Sequence, residues 1–326
     1  MTKNILEQLY EQHKGKVSLK WSSYLVEYDR IFKDYRDRNI SVLELGVLNG
    51  GSLEIWANYF FKAQKFIGCD IDPLCAHLTY TDPRIAVVIG DANSELAQAA
   101  IAEHSPTFGL IIDDASHRSS DIIQSFSRYF PKLENGGIYV VEDLHCSYWQ
   151  EFEGGLYDPF SAISFFKRLA DIINYEHWGI EKAETEPFFG FCAKYNFKID
   201  EKALKEIHSI EFVNSMCIIR KGSNSLGLLF VAGSEEVVST GHLCMHLREK
   251  MSLQQTANEW ATRSTPPDEE LLIRIQELSE CYNEITALNQ AVVERDRQIK
   301  ALVNSRSWRI TKPFRYFSEM LRKNIL

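Results

Sequence analysis

Two short stretches concentrate ionisable side chains. "IIDDASH" carries Asp113, Asp114 and His117, and "VVEDLH" carries Glu142, Asp143 and His145. Each opens as an apolar run of β type and ends in two acids followed shortly by an imidazole. If the runs are parallel strands of one sheet, their carboxyl ends point into one crevice, and Asp113 or Asp114 faces Glu142 and Asp143. Like charges so placed repel unless a cation joins them. Carboxylates that leave positions open for water and substrate oxygens suit Mg²⁺. A dication there lowers the pKa of a bound hydroxyl, and an adjacent base takes the proton. The blander reading makes Asp114 the cap of a helix starting near Ser119 and His145 a satisfied core histidine. Two histidines following acids at paired strand ends favour the chemical one.

A second motif lies upstream. "VLELGVLNGGS" puts Glu44 and Gly46 at a strand end, and Gly50, Gly51 and Ser52 at the opening of a helix. Glycines there permit a tight turn and close backbone approach to a ligand. The ExGxxxG spacing is not the GxGxxG of a nicotinamide site; it is the form used for S-adenosylmethionine. "FIGCDIDP" places Asp70 at the next strand end, where a carboxylate can accept ribose hydroxyls, and "VVIGDANS" places Asp91 at the one after, near an adenine amino group.

Taken together, "ELGVLNGGS", "GCDIDP", "GDANS", "IIDDASH", "GGIYVVEDLHCSYW" and "NSMCIIRKG" resemble a class I S-adenosylmethionine-dependent methyltransferase. The resemblance is nearest to the metal-dependent, mycinamicin-type macrolide-sugar O-methyltransferases and the cephalosporin hydroxylase-like proteins. It runs from about residue 15 to 235 and includes "KWSSYLVEYDRIF" ahead of the first strand. It implies a Rossmann-like, seven-stranded, mostly parallel sheet. It also implies S-adenosylmethionine contacts at Glu44, Gly46, Gly50, Ser52, Asp70, Asp91, Asp113 and Tyr24, and Mg²⁺ at Asp114, Glu142 and Asp143. The catalytic group becomes Asp114 with His145 as general base and His117 as the second candidate. Spacing alone leaves open which of Asp113 and Asp114 ligates; "DASH" against the family's DGxH favours Asp114, with Ala115 in place of the glycine.

The elements that must position these residues are readable too. The runs 41–46, 65–70, 85–90, 108–113 and 137–143 alternate with helix-compatible stretches, which predicts a doubly wound parallel α/β sheet. The runs 210–222 and 227–233, joined by "SNSL", predict an antiparallel edge hairpin. Residues 144–209 form an insertion expected to hold a helix and to act as a substrate lid, with Tyr148 and Trp149 in it. The expected organisation is a helical segment over 1–40, the methyltransferase domain over 41–255, a coiled coil over 256–304 and a basic aromatic tail over 305–326. Leu271, Leu278, Ile285, Val292 and Ile299 set the heptad, interrupted at Asn289 and Asp296. His242 and His246 lack a third ligand for zinc and read as a helix surface.

Composition narrows the partners. A net charge of −9 argues against nucleic acid. Seven scattered cysteines without a CxxC pair fit a reducing cytoplasm, and no apolar run approaches membrane-spanning length. The last 22 residues, "SRSWRITKPFRYFSEMLRKNIL", instead carry six Lys/Arg against one Glu. Such a tail suits an anionic membrane face or a glycosyltransferase partner. It resembles terminal segments of enzymes that build bacterial surface polysaccharides. The expected function is Mg²⁺-dependent O-methylation of a sugar hydroxyl, in an O-antigen or capsule-type glycan, by a homo-oligomer at the inner membrane face. The alternatives are a macrolide or other natural-product sugar as acceptor, a non-catalytic scaffold in a glycan-assembly complex, and a hydroxylase-like activity for which no iron triad is apparent.

Overall fold

The computed structural model describes residues 3–223, 225, 232–233, 253–263 and 266–323. It divides into two compact units, Met1–Pro266 and Pro267–Leu326.

The first unit is built on seven strands. They are β1 (Ser41–Leu45), β2 (Lys65–Asp70), β3 (Ile85–Ile89), β4 (Phe108–Asp113), β5 (Leu133–Val141), β6 (Ile207–Val213) and β7 (Met216–Lys221), in the order β3-β2-β1-β4-β5-β7-β6. Strands β1 to β5 pair in parallel, while β7 runs antiparallel to both β5 and β6. The chain leaves β1 toward one edge and returns to its other side as β4. A ligand crevice belongs at that switch, beyond the carboxyl ends of β1 and β4.

The two-residue period of the strands sorts their side chains into two cores. Val42, Leu110, Ile112, Ile138 and Val140 face a layer made by α1 (Ile5–Gln12), α2 (Ser22–Phe32) and α3 (Gly51–Tyr59). Leu43, Leu45, Ile111, Tyr139 and Val141 face α4 (Glu95–His104), α5 (Ser119–Tyr129) and α6 (Ala162–Ile173). On α2 the buried residues are Tyr24, Leu25, Tyr28, Ile31 and Phe32, one helical face. Tyr28 meets Trp56 edge-on at 5.2 Å and stacks on Phe32 at 5.0 Å. Such pairs contribute on the order of 1 kcal/mol each beyond their burial.

Two expectations need correction. The edge hairpin forms within the first of the two apolar runs: Asn214 and Ser215 make its turn, with Ser215 at φ 69°, and β7 inserts between β5 and β6. Residues 227–231 of the second run, and His242 and His246, lie outside the described residues. The insertion after β5 is also more than a cover. Phe165, Phe166, Leu169 and Ile172 of α6 are fully buried in the second core, and α7 (Phe189–Tyr195) and α8 (Glu201–Lys205) lead from α6 into β6.

After α9 (Glu259–Thr262), the second unit begins with α10, one 38-residue helix over Pro267–Asn304. Leu278, Ile285, Val292 and Ile299 are all exposed along it. Two short helices follow, α11 (Arg306–Ile310) and α12 (Lys312–Lys323). The break falls at Thr311, and Pro313 sits in the first turn of α12, where a missing N–H costs nothing.

Candidate active site

A cleft of about 480 Å³ opens at the carboxyl ends of β1, β2, β3 and β4. Six aspartates line it, at 70, 91, 113, 114, 121 and 143, against one ammonium, that of Lys20. Gly46 and Ser52 line it too. Gly46 has φ 88°, and a Cβ there would fall 2.1 Å from the Asp114 carbonyl oxygen, so the turn after β1 and the end of β4 can approach only through a glycine. Asp70 organises the turn. Its Oδ2 accepts from Val47 N–H at 2.7 Å and Leu48 N–H at 2.9 Å, and its Oδ1 accepts from Asp72 N–H at 2.9 Å. Burial opposes the charge, but these amide bonds outweigh it and hold the Asp70 pKa below the usual value. Asp91 is fixed by a bond from Asn93 N–H at 2.8 Å.

Register decides what the acids at the strand ends face. Glu44 pairs across from Ile112, and Ile112 from Val140. Glu44, Asp114 and Glu142 therefore continue the face that carries Val42, Ile112 and Val140, under α2. Asp113 continues the opposite face, where Tyr139 Oη donates to it at 3.1 Å and burial pushes its pKa up to about 7. The pair at 113–114 is thus split between two sides of the sheet.

Asp114, His117 and Asp143 come together, with ligand atoms all within 4.8 Å of one another. His117 Nε2 lies 3.9 Å from Asp114 Oδ1 and 3.7 Å from Asp143 Oδ2. His117 and Asp143 both occupy the left-handed region, at φ 58° and 48°. Such strain persists only where the surroundings impose it, and it gathers at functional sites.

Glu142 is turned away from this trio. It is 2% exposed and accepts from Lys20 Nζ at 2.6 Å and from Tyr28 Oη. Lys20 Nζ also donates to Asp114 and lies 4.0 Å from Glu44, with its side chain only 3% exposed. Burial works against the ammonium, but Glu142, Asp114 and Glu44 outweigh it and hold its pKa well above the ordinary lysine value. Tyr24 Oη donates to Asp143 Oδ1 at 2.7 Å and is hydrogen-bonded to Ser215 Oγ at 2.8 Å. His145 Nδ1 is hydrogen-bonded to Ser215 Oγ, and its ring meets Trp149 edge-on at 4.9 Å.

Of the residues expected at the site, Gly46, Ser52, Asp70, Asp91, Asp113, Asp114, His117 and Asp143 line the cleft. Glu44, Gly50, Tyr24, Glu142 and His145 are not in its wall. Glu44 instead accepts from Ser52 Oγ at 2.7 Å and Trp56 Nε1 at 3.3 Å. Among the described residues, none from 144–209 lines the cleft. Sequence reasoning missed Lys20, Tyr28 and Ser215. A signal existed for one of them: Tyr28 follows Tyr24 by four residues, one helical turn, so the two phenols share a face of α2.

This frame has solved counterparts. The MycE methyltransferase of the mycinamycin biosynthetic pathway, determined in complex with Mg, SAH and mycinamycin VI, superposes with a TM-score of 0.55 at 27% identity, over 69% of this chain and 55% of that one. The fold is that of a class I methyltransferase. Three curated proteins are similar to part of this chain. The 8-demethyl-8-alpha-L-rhamnosyl tetracenomycin-C 2'-O-methyltransferase of Streptomyces olivaceus is 34% identical over 63% of this chain and 52% of its own length. The demethylmacrocin O-methyltransferase of Streptomyces fradiae is 29% identical over 64% and 51%. The mycinamicin VI 2''-O-methyltransferase of Micromonospora griseorubida is 35% identical over 48% and 41%. The chain spans about half the length of the curated relatives it matches. No family model matches it.

The donor set bears on the two groups, Mg and SAH, found with MycE. An ammonium already sits among Asp114, Glu142 and Glu44, which marks this spot as one that favours positive charge. Asp114 and Asp143 supply hard oxygen donors of the kind Mg²⁺ prefers, with the His117 nitrogen at their edge. Six carboxylates beside a glycine turn suit a ligand bearing a sulfonium and an ammonium, and repel a pyrophosphate. Both groups fit.

Proposed function

We propose that the chain is a Mg²⁺-dependent O-methyltransferase that moves a methyl group from S-adenosylmethionine to a sugar hydroxyl. The acid-lined cleft ending at the Asp114, His117 and Asp143 cluster carries this reading. Gly46 and Ser52 flank the cofactor at the glycine turn, Asp70 Oδ1, with one amide bond against two at Oδ2, is the oxygen left to face a ribose hydroxyl, and Asp91 stands at the next strand end. Asp114 and Asp143 would hold the cation, and Glu142, tied to Asp114 through Lys20, would join them only by turning from its present bonds to Lys20 and Tyr28. The bound cation supplies acidification of the acceptor hydroxyl, and the sulfonium supplies the methyl group. His117 takes the hydroxyl proton at Nε2, the oxygen forms its bond to the methyl carbon, and the carbon–sulfur bond breaks to leave S-adenosylhomocysteine. Asp114 and Asp143, facing His117 from two sides, stabilise the imidazolium that results. His145, bonded to Ser215, is the less suited of the two histidines.

The acceptor we favour is a sugar of a bacterial surface polysaccharide over one in a macrolide or other natural product. The observation behind that preference is the tail. Trp308, Phe314, Tyr316 and Phe317 are exposed among Arg306, Arg309, Lys312 and Arg315, as an anchor to an anionic membrane would be. The exposed seam of α10 is the surface we assign to self-association. Among the described residues no helix is long and apolar enough to cross a membrane.

The test is transfer of label from methyl-labelled S-adenosylmethionine to a panel of nucleotide sugars, extracted glycans and macrolide glycosides, with Mg²⁺ and with EDTA. Labelled glycan only in the presence of Mg²⁺ is the expected result. Transfer that survives the chelator would remove the metal from the scheme, and label on macrolides alone would reverse the choice of acceptor.

A further inference from the structure

Lys20 is a buried charged group at the site that the proposed reaction leaves without a task. It lies in the non-helical segment between α1 and α2, and its side chain is buried at the back of the acid cluster. Its Nζ donates to Glu142 Oε1 at 2.6 Å and to Asp114 Oδ2, so it bridges β4 and β5. Asp114 belongs to the cluster that can hold a divalent cation. Resting on that metal-site reading, we propose that the Lys20 ammonium is a built-in competitor of the divalent cation: it ties Asp114 to Glu142 in the metal-free protein and is displaced when metal loads.

The chemistry of the contacts supports displacement over coexistence. A carboxylate oxygen committed to an ammonium has fewer lone pairs for a metal, and a fixed positive charge beside the site repels a second. A lysine can yield, because its charge rides on a flexible four-carbon stem. The segment carrying it is anchored upstream, so the side chain can move without undocking the chain. Lys16 Nζ donates to Glu54 Oε1 at 2.7 Å, and Gly51 N–H donates to the Val17 carbonyl at 3.1 Å. The acids are not left bare when it moves. Tyr28 still donates to Glu142, and Tyr24 still donates to Asp143, both from the rigid face of α2. The neutral donors fix the carboxylates, and the one charged donor is exchangeable. Because Val17, Ser18, Leu19 and Lys20 form one wall of the cleft, the exchange also couples metal loading to the wall of the cofactor pocket.

Calorimetric titration of Mg²⁺ and Mn²⁺ into the full chain, without cofactor or acceptor, tests this with Lys20→Met, which keeps the stem and deletes the charge. The variant should bind the cation at least about tenfold more tightly than the parent, the direction expected when a nearby like charge is removed. Labelling of the Lys20 amine by an amine-reactive reagent on the parent chain, read by mass spectrometry, is the second measurement and needs no variant: adding Mg²⁺ should speed labelling at Lys20 severalfold. Equal or weaker metal affinity in Lys20→Met, or metal-independent labelling of Lys20, would overturn the competition while leaving the metal site standing. Absence of any cation binding by either protein would overturn the metal reading and the competition with it.

Discussion

At the residue scale, two histidines follow acids at adjacent strand ends, and their surroundings separate them. His117 has both Asp114 and Asp143 within 4 Å of Nε2 and stands in the cleft wall. His145 bonds Ser215 and packs on Trp149. Replacing His117 with Gln should lower kcat by roughly 10²–10⁴, the usual contribution of a positioned general base. The same change at 145 should cost no more than a few-fold. Steady-state kinetics on the labelled-methyl assay reads both, and the cofactor KM should stay near that of the parent in each. A large loss at 145 with little at 117 would exchange the roles.

At the element scale, the question is what holds the segment before α2 across the glycine turn. Glu54 on α3 does most of it. Its Oε2 accepts from Lys16 N–H at 2.8 Å and its Oε1 from Lys16 Nζ, with His13 Nε2 at 3.4 Å. Burial alone would raise its pKa, yet the bonds from Lys16 win and lower it. An acid whose folded pKa is depressed contributes stability above its unfolded pKa, near 4.5, and loses it as pH falls through the lower folded value. Glu54→Gln should therefore be less stable than the parent by about 0.5–1 kcal/mol at neutral pH, the range for a partly exposed pair. The two should converge in acid, below the depressed pKa. Denaturant titrations across pH measure the gap; a constant gap at every pH would mean that Glu54 acts through packing.

At the scale of the whole molecule, an acidic body carries a basic, aromatic end. On α11 and α12, the Arg315 guanidinium stacks 3.6 Å over Trp308, while Phe314, Tyr316, Phe317 and Met320 remain exposed. At a membrane those rings sit at headgroup level, and each cation near an anionic surface contributes on the order of 1 kcal/mol. Deleting residues 305–326 should release the protein from anionic liposomes in a flotation assay, and added salt should do the same to the full chain. Methylation of a small soluble acceptor should be unaffected. Continued flotation of the truncated protein would transfer the tail's role to a protein partner.

Periodicity and strand-end chemistry by themselves determined a large part of this protein. The apolar runs ending in Asp70, Asp113 and Val141 became parallel strands, because residues buried on both faces must be apolar throughout. The glycine turn with Asp70 was legible for the same local reason: only glycine tolerates φ 88° at position 46 beside the end of β4. The edge hairpin was misplaced because its turn, Asn214-Ser215, is only two residues long, carries no glycine and sits inside a stretch that reads as one strand. Which neighbours each acid meets was not legible. Asp113 and Asp114 take opposite faces by the strand's two-residue period, but that Asp114 shares its face with Glu44 and Glu142 follows from pairing register with β1 and β5. Glu142 and Asp143 likewise part company when the chain turns left-handed at 143. The cation that faces this cluster comes from Lys20, 94 residues before Asp114 and 122 before Glu142. Contacts across such separations exist only once α2 has docked on the sheet, so tertiary structure alone assembled the acids, the phenols and the ammonium into one site.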